Sequence, residues 1–168
     1  MSLFHLRRLG IGQAYGTIAL LSIILGGCAE KEPWQTDTKP IQGTITINGE
    51  PAQGAVVTLY PTGDAVDIRQ SKPWGVADEN GVYQLRTYGK NDGAPQGEYK
   101  ATFVWQVNPS EMGSPDMLSG AFADPAESAW TFVIAEDSSE LPPIEADQAK
   151  VNKAPRRRSS RPTPFDDQ

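Results

Sequence analysis

Ile41-Gln42-Gly43-Thr44-Ile45-Thr46-Ile47-Asn48-Gly49 reads as a strand running into a tight turn. Ile41, Gly43, Ile45 and Ile47 alternate with Gln42, Thr44 and Thr46, the period of two that buries one face of a strand. Asn48-Gly49 supplies the residue pair that best tolerates the positive φ angles of a two-residue hairpin turn. Beyond it, Ala55, Val57 and Leu59 alternate with Val56, Thr58 and Tyr60 as a second strand, ended by Pro61-Thr62-Gly63-Asp64.

The same grammar continues downstream. Ala65 to Pro73 is aperiodic and reads as a loop. Trp74-Gly75-Val76-Ala77 is short and apolar, and Val82 to Tyr88 alternates again. Between them, Asp78-Glu79-Asn80-Gly81 offers hard oxygens, as a calcium loop would. It lacks the twelve-residue span and the terminal bidentate acid, and a turn joining two strands accounts for it. After a turn-rich connection, Gly89 to Gly97, comes the longest strand, Glu98 to Val107. Its Tyr99, Ala101, Phe103 and Trp105 share a face that reads as core. Asn108 to Ser128 is too long for a hairpin turn and is a candidate binding surface. Trp130, Phe132 and Ile134 mark another strand, and Leu141-Pro142-Pro143-Ile144 an edge strand, where proline is tolerated. With 16 glycines and 14 prolines, the pattern predicts an all-β domain over residues 41–149.

Outward from the domain, the N-terminus has the graded make-up of an export signal: Arg7 and Arg8, an apolar run over 11–25, then small residues. Leu25-Gly26-Gly27-Cys28 resembles the lipobox of bacterial lipoproteins. That resemblance implies cleavage after Gly27 and acylation of Cys28, the only cysteine, making residues 1–27 a signal peptide and 28–40 a lipidated N-terminus and polar tether. The alternative, an uncleaved anchor helix, needs about 20 apolar residues, more than this run offers. Trp34, in the tether, is a candidate interfacial contact, but a single exposed aromatic is normal and is the favoured reading. Ala29 follows Cys28 where an aspartate would favour inner-membrane retention, which leans toward the outer membrane with the domain in the periplasm or at the surface. Residues 150–168 read as a disordered basic tail.

Without residues 1–27, 13 basic residues stand against 21 acidic ones, a net charge of −8. The charge is uneven: residues 40–149 carry 5 basic and 16 acidic side chains, and residues 150–161 carry six basic and none acidic. An acidic body repels phosphate, which argues against nucleic acid as a partner.

Ile45-Thr46-Ile47-Asn48-Gly49-Glu50-Pro51, Gly54-Ala55-Val56-Val57 and Asp78-Glu79-Asn80-Gly81-Val82-Tyr83-Gln84-Leu85 together resemble the carboxypeptidase regulatory-like domain family. Asp92-Gly93-Ala94 with Gly97-Glu98-Tyr99-Lys100, and Ala123-Asp124-Pro125-Ala126-Glu127-Ser128, resemble segments of small lipoproteins from planctomycete-type bacteria. The resemblance spans residues 41–146 and implies a transthyretin-like, Greek-key β-sandwich of about seven strands. It does not carry over the hydroxyisourate hydrolase activity of some transthyretin folds, which relies on histidines: the only histidine here, His5, lies in the signal.

The same inventory argues against catalysis. No imidazole remains for a Ser or Cys triad, the one thiol is taken by lipid, and imidazole and thiolate zinc ligands are lacking, so neither cofactor nor metal is expected. Carboxylate pairs, Asp64 with Asp67, Asp78 with Glu79, or Glu136 with Asp137, would need a substrate cleft to hydrolyse glycosides. The leading expectation is a non-catalytic, membrane-anchored envelope lipoprotein whose loops (65–73, 89–97, 108–128) meet an envelope protein or polysaccharide. A second is a structural linker in which Arg156, Arg157, Arg158 and Arg161 hold anionic lipid or polysaccharide.

Overall fold

The structure, a computed structural model, describes residues 31–106 and 113–152. The described strands are β1 (Gln42–Ile47), β2 (Glu50–Pro51), β3 (Ala55–Pro61), β4 (Trp74–Val76), β5 (Val82–Gln84), β6 (Gly97–Trp105), β7 (Trp130–Ile134) and β8 (Ile144–Ala146). They form two sheets with one shared core, an all-β sandwich. One sheet runs β4-β3-β6-β7, antiparallel throughout, with Val57 opposite Phe103 and Tyr99 opposite Phe132. The other is built on β1.

β1 carries the alternation that the sequence predicts: Gly43, Ile45 and Ile47 are buried, while Gln42 is exposed and Thr44 and Thr46 half-buried. Along one edge β1 meets β5 and then β2, both antiparallel; along the other it meets β8 in parallel, with Ile45 opposite Ile144. Asn48 and Gly49 take φ of 53° and 82°, the left-handed pair required by the two-residue turn from Ile47 to Glu50.

The second strand of that hairpin is shorter than the alternation suggests. β2 ends at Pro51, which has no N–H to continue a ladder. Buried Ala52 and Gly54 (φ 82°) then carry the chain across to the other sheet, where β3 pairs with β4 and β6. A similar switch shortens the strand expected over Val82 to Tyr88. The Leu85 amide still bonds to the Ile41 carbonyl, but Arg86 exchanges both backbone hydrogen bonds with Trp74 of the opposite sheet (2.8 and 2.9 Å). The Arg86 guanidinium lies 3.6 Å from the centre of the Trp74 ring, capping this corner.

Ile45 and Tyr83 from one sheet meet Val57, Leu59, Tyr99 and Phe103 from the other in a single core. The far half of the long connection also contributes. Leu118 is buried, and Phe122 stacks on Phe103 with ring centres 4.7 Å apart while Trp130 packs edge-on to both.

Candidate functional site

The strands separate the candidate loops into two ends. Loops 65–73 and 89–97 lie at the end where β1 and β6 begin. The described part of the long connection, 113–128, reaches the opposite end, beside the finish of β6 at Trp105.

At the first end, the chain preceding β1 is docked. Lys39 and Ala94 exchange backbone hydrogen bonds of 3.1 and 3.0 Å. The approach is close enough that a Cβ at Gly93 (φ 84°) would collide with the Lys39 carbonyl. The neighbouring connection is shaped by Asp92, whose carboxylate accepts from the amides of Thr87, Tyr88 and Gly89, each at 2.9 Å. This places Tyr88 against loop 65–73.

The Tyr88 hydroxyl accepts from the Thr36 amide at 3.2 Å and donates to Asp67 Oδ2 at 2.7 Å. Asp67 Oδ1 accepts from the amides of Arg69 (2.7 Å) and Ser71 (3.2 Å), closing a tight turn in which Gln70 takes φ 56°. The Thr36 hydroxyl donates to the Val66 carbonyl. Trp34 then packs edge-on to Tyr88 at 5.4 Å, with the Arg69 guanidinium 3.7 Å from the centre of its ring. Trp34, an isolated exposed aromatic by sequence, is thus half-buried between two loops.

The electrostatics follow from these contacts. Burial pushes the Asp67 carboxyl up, but hydrogen bonds from Ser71, Tyr88 and the Arg69 amide outweigh it and hold its pKa below the ordinary 3.8. Burial and the adjoining Asp67 carboxylate raise the Tyr88 phenol above its ordinary value. Burial pushes Tyr99 up to about 12, and its hydroxyl donates to the Pro95 carbonyl four residues upstream at 2.9 Å, the geometry of a tyrosine corner. A cleft of about 410 Å³ lies alongside, lined by Thr36, Pro61, Ala65, Val66, Pro95 and Tyr99.

The opposite end is pinned by Asp116 and Asn48. Asp116 accepts from the amides of Trp105, Leu118 and Gly120 (2.9, 3.0 and 2.7 Å), anchoring the segment that by sequence is a candidate binding surface. Asn48 exchanges two hydrogen bonds with the Ala149 backbone, and Asn152 donates to the Met117 carbonyl and to Ser119 Oγ. Between these fixtures lies a shallow cleft of about 560 Å³ lined by Gln53, Val76, Trp105, Gln106 and Met117. The Trp105 indole N–H donates to the Gln53 carbonyl at 2.9 Å, so its ring forms a fixed wall.

Gly27, Cys28, Arg156, Arg157, Arg158 and Arg161 lie outside the described residues. Of the carboxylate pairs, Asp67 is committed to its own turn and Asp78 accepts the amides of Asn80 and Val82 at 2.9 Å each. Asp64, Glu79, Glu136 and Asp137 are exposed. Among the described residues no three His, Cys, Asp or Glu side chains gather as a metal site would require. The Trp34, Asp67 and Tyr88 cluster escapes a linear reading because its members come from three separate connections. The polar turn residues of loop 65–71 are its only local signal.

No protein-family model and no curated protein matches this chain.

Proposed function

We propose that this chain is a lipid-anchored protein of the bacterial envelope whose sandwich, a transthyretin-like Greek key of the carboxypeptidase regulatory-like kind, serves as a non-catalytic docking module. The observation that carries this reading is the polarity of the domain. The chain arriving from Leu25-Gly26-Gly27-Cys28 is strapped to one end through Trp34, Thr36 and Lys39, and the Trp105 cleft lies at the other. An anchored domain would thereby present the Gln53, Trp105 and Met117 surface away from the membrane. The use of Asp67, Asp78, Asp92 and Asp116 as backbone caps supports binding over carboxylate chemistry.

Membrane fractionation with intact-mass analysis of the N-terminus tests the anchor: the wild-type chain should begin at an acylated Cys28 and Cys28→Ala should leave the membrane fraction. A photo-crosslinking residue at Gln53 should then capture an envelope partner that the same residue at Ala65 does not. Equal capture at both positions would count against the cleft.

A second reading makes the chain a linker between the membrane and an anionic polysaccharide or lipid. It is favoured by the clamps from Asn48 to Ala149 and from Asn152 to Met117, which fix the start of the basic segment at the end away from the strap. Each basic residue near an anionic surface contributes about 1 kcal/mol, so Arg156, Arg157, Arg158 and Arg161 together would hold firmly at low salt. Salt-sensitive retention on anionic vesicles, lost on truncation after Asn152, tests this.

A further inference from the structure

We infer that the turn Asp67–Ser71 is a membrane-seating element, with Ile68 lodged in the lipid interface of the leaflet that holds the anchor. The inference rests on the lipid-anchor reading and adds to it a fixed orientation for the domain.

Ile68 is the most exposed large apolar side chain among the described residues, at 87 %. The turn that carries it is pinned, because Asp67 Oδ1 accepts the amides of Arg69 and Ser71, which follow Ile68. An aliphatic side chain fixed outward on a rigid turn suits an apolar medium better than water. The charge around it is also distinctive. Residues 40–149 hold only 5 basic side chains, and two of them, Arg69 and Lys72, follow Ile68 within the same loop. The nearest acid, Asp67, is turned inward to the turn amides and Tyr88, while Arg69 and Lys72 stay exposed beside the turn with their cations over the Trp34 and Tyr60 rings. Of the acidic body's loops, this one is suited to approach anionic headgroups.

Chain length supplies the remaining constraint. Trp34 is the sixth residue after Cys28, a reach of about 20 Å when extended. Trp34 is in turn held against Arg69 and Tyr88, one residue from Ile68 in the turn. A lipid on Cys28 would keep the turn near the interface, where the half-buried Trp34 ring is also suited to lie.

The test uses the full-length lipidated protein reconstituted in phosphatidylethanolamine and phosphatidylglycerol vesicles. With the Cys28 thiol acylated, Ile68→Cys provides one site for an environment-sensitive fluorophore, and Glu79→Cys, in the exposed turn at the other end of the sandwich, provides the comparison. The label at 68 should be quenched several-fold more strongly than that at 79 by spin-labelled phosphatidylcholine, and Trp34→Ala should reduce that difference with the lipid retained. Equal quenching at both positions, whether weak or strong, in protein whose mass shows acylated Cys28 would overturn the seating and leave the anchor intact. A mass without the lipid would overturn the anchor and the seating with it.

Discussion

The hydroxyl of Tyr88 donates to Asp67 Oδ2 at 2.7 Å while accepting the Thr36 amide at 3.2 Å, so one phenol joins three connections of the chain. Tyr88→Phe keeps the ring beneath Trp34 and removes both hydrogen bonds. It should lower stability by about 1–2 kcal/mol in urea unfolding and hasten chymotryptic cleavage after Trp34. An unchanged cleavage rate would show that the strap is held by its other contacts.

Ionisation of the same pair gives the domain a defined pH window. The Asp67 carboxyl sits below 3.8 in the folded chain, so its contribution is present above that value and lost as pH falls through the folded pKa. Tyr88 and Tyr99 are shifted upward, Tyr99 to about 12, so their contribution is present below the ordinary 10.0 and lost as pH rises beyond it. Stability should fall on both sides of these limits, and Asp67→Asn should flatten the acid side and, by removing the carboxylate that helps raise Tyr88, lessen the alkaline fall to a smaller degree. Melting curves across pH for the two proteins check this.

Tyr83 offers the opposite case. It is fully buried opposite Gly43, its hydroxyl has no hydrogen-bond partner among the described residues, and burial raises its pKa. An unsatisfied buried hydroxyl costs about 1–3 kcal/mol, so Tyr83→Phe should stabilise the domain by about 1 kcal/mol and raise its melting temperature. Gly43→Ala should do the reverse, since its Cβ would strike the Tyr83 hydroxyl. A neutral Tyr83→Phe would mean that the hydroxyl is satisfied in solution.

Two glycines with nearly the same φ separate backbone strain from steric collision. A Cβ added at Gly49 (φ 82°) would meet nothing within 4 Å, and Gly49→Ala should cost about 1 kcal/mol for the left-handed conformation alone. Gly93 (φ 84°) lies against the Lys39 carbonyl. Gly93→Ala should cost about 1–3 kcal/mol more, by displacing the strap. Denaturation midpoints of the two variants should differ accordingly.

Much of the sandwich is legible because its signals are local. The alternation of Ile45 and Ile47, the Asn48-Gly49 turn and the aromatic face of Tyr99 and Phe103 each require only neighbouring residues to read. The crossings between sheets are harder. Ala55 to Tyr60 looks like the return strand of a hairpin, and only the missing amide of Pro51 and the left-handed Gly54 hint that the chain changes sheets first. Arg86 leaves its strand for Trp74 for a reason seated in another connection. Among the candidate site residues, Asp67 reads as a possible acid and becomes a turn cap. Trp34 gains its role from Arg69 and Tyr88, 35 and 54 positions away, where no periodicity reaches.

The pairing of Ile45 with Ile144 has a consequence in time. A chain made from its N-terminus produces β1 first and β8 last, so the central strand of one sheet waits for nearly the whole domain before its second edge is covered. β3, β4 and β6 can pair much sooner. Ladders that close over such long sequence separations fold on the scale of milliseconds to seconds, and the β1 edge stays open for that interval. The first strand to emerge is the last to be completed.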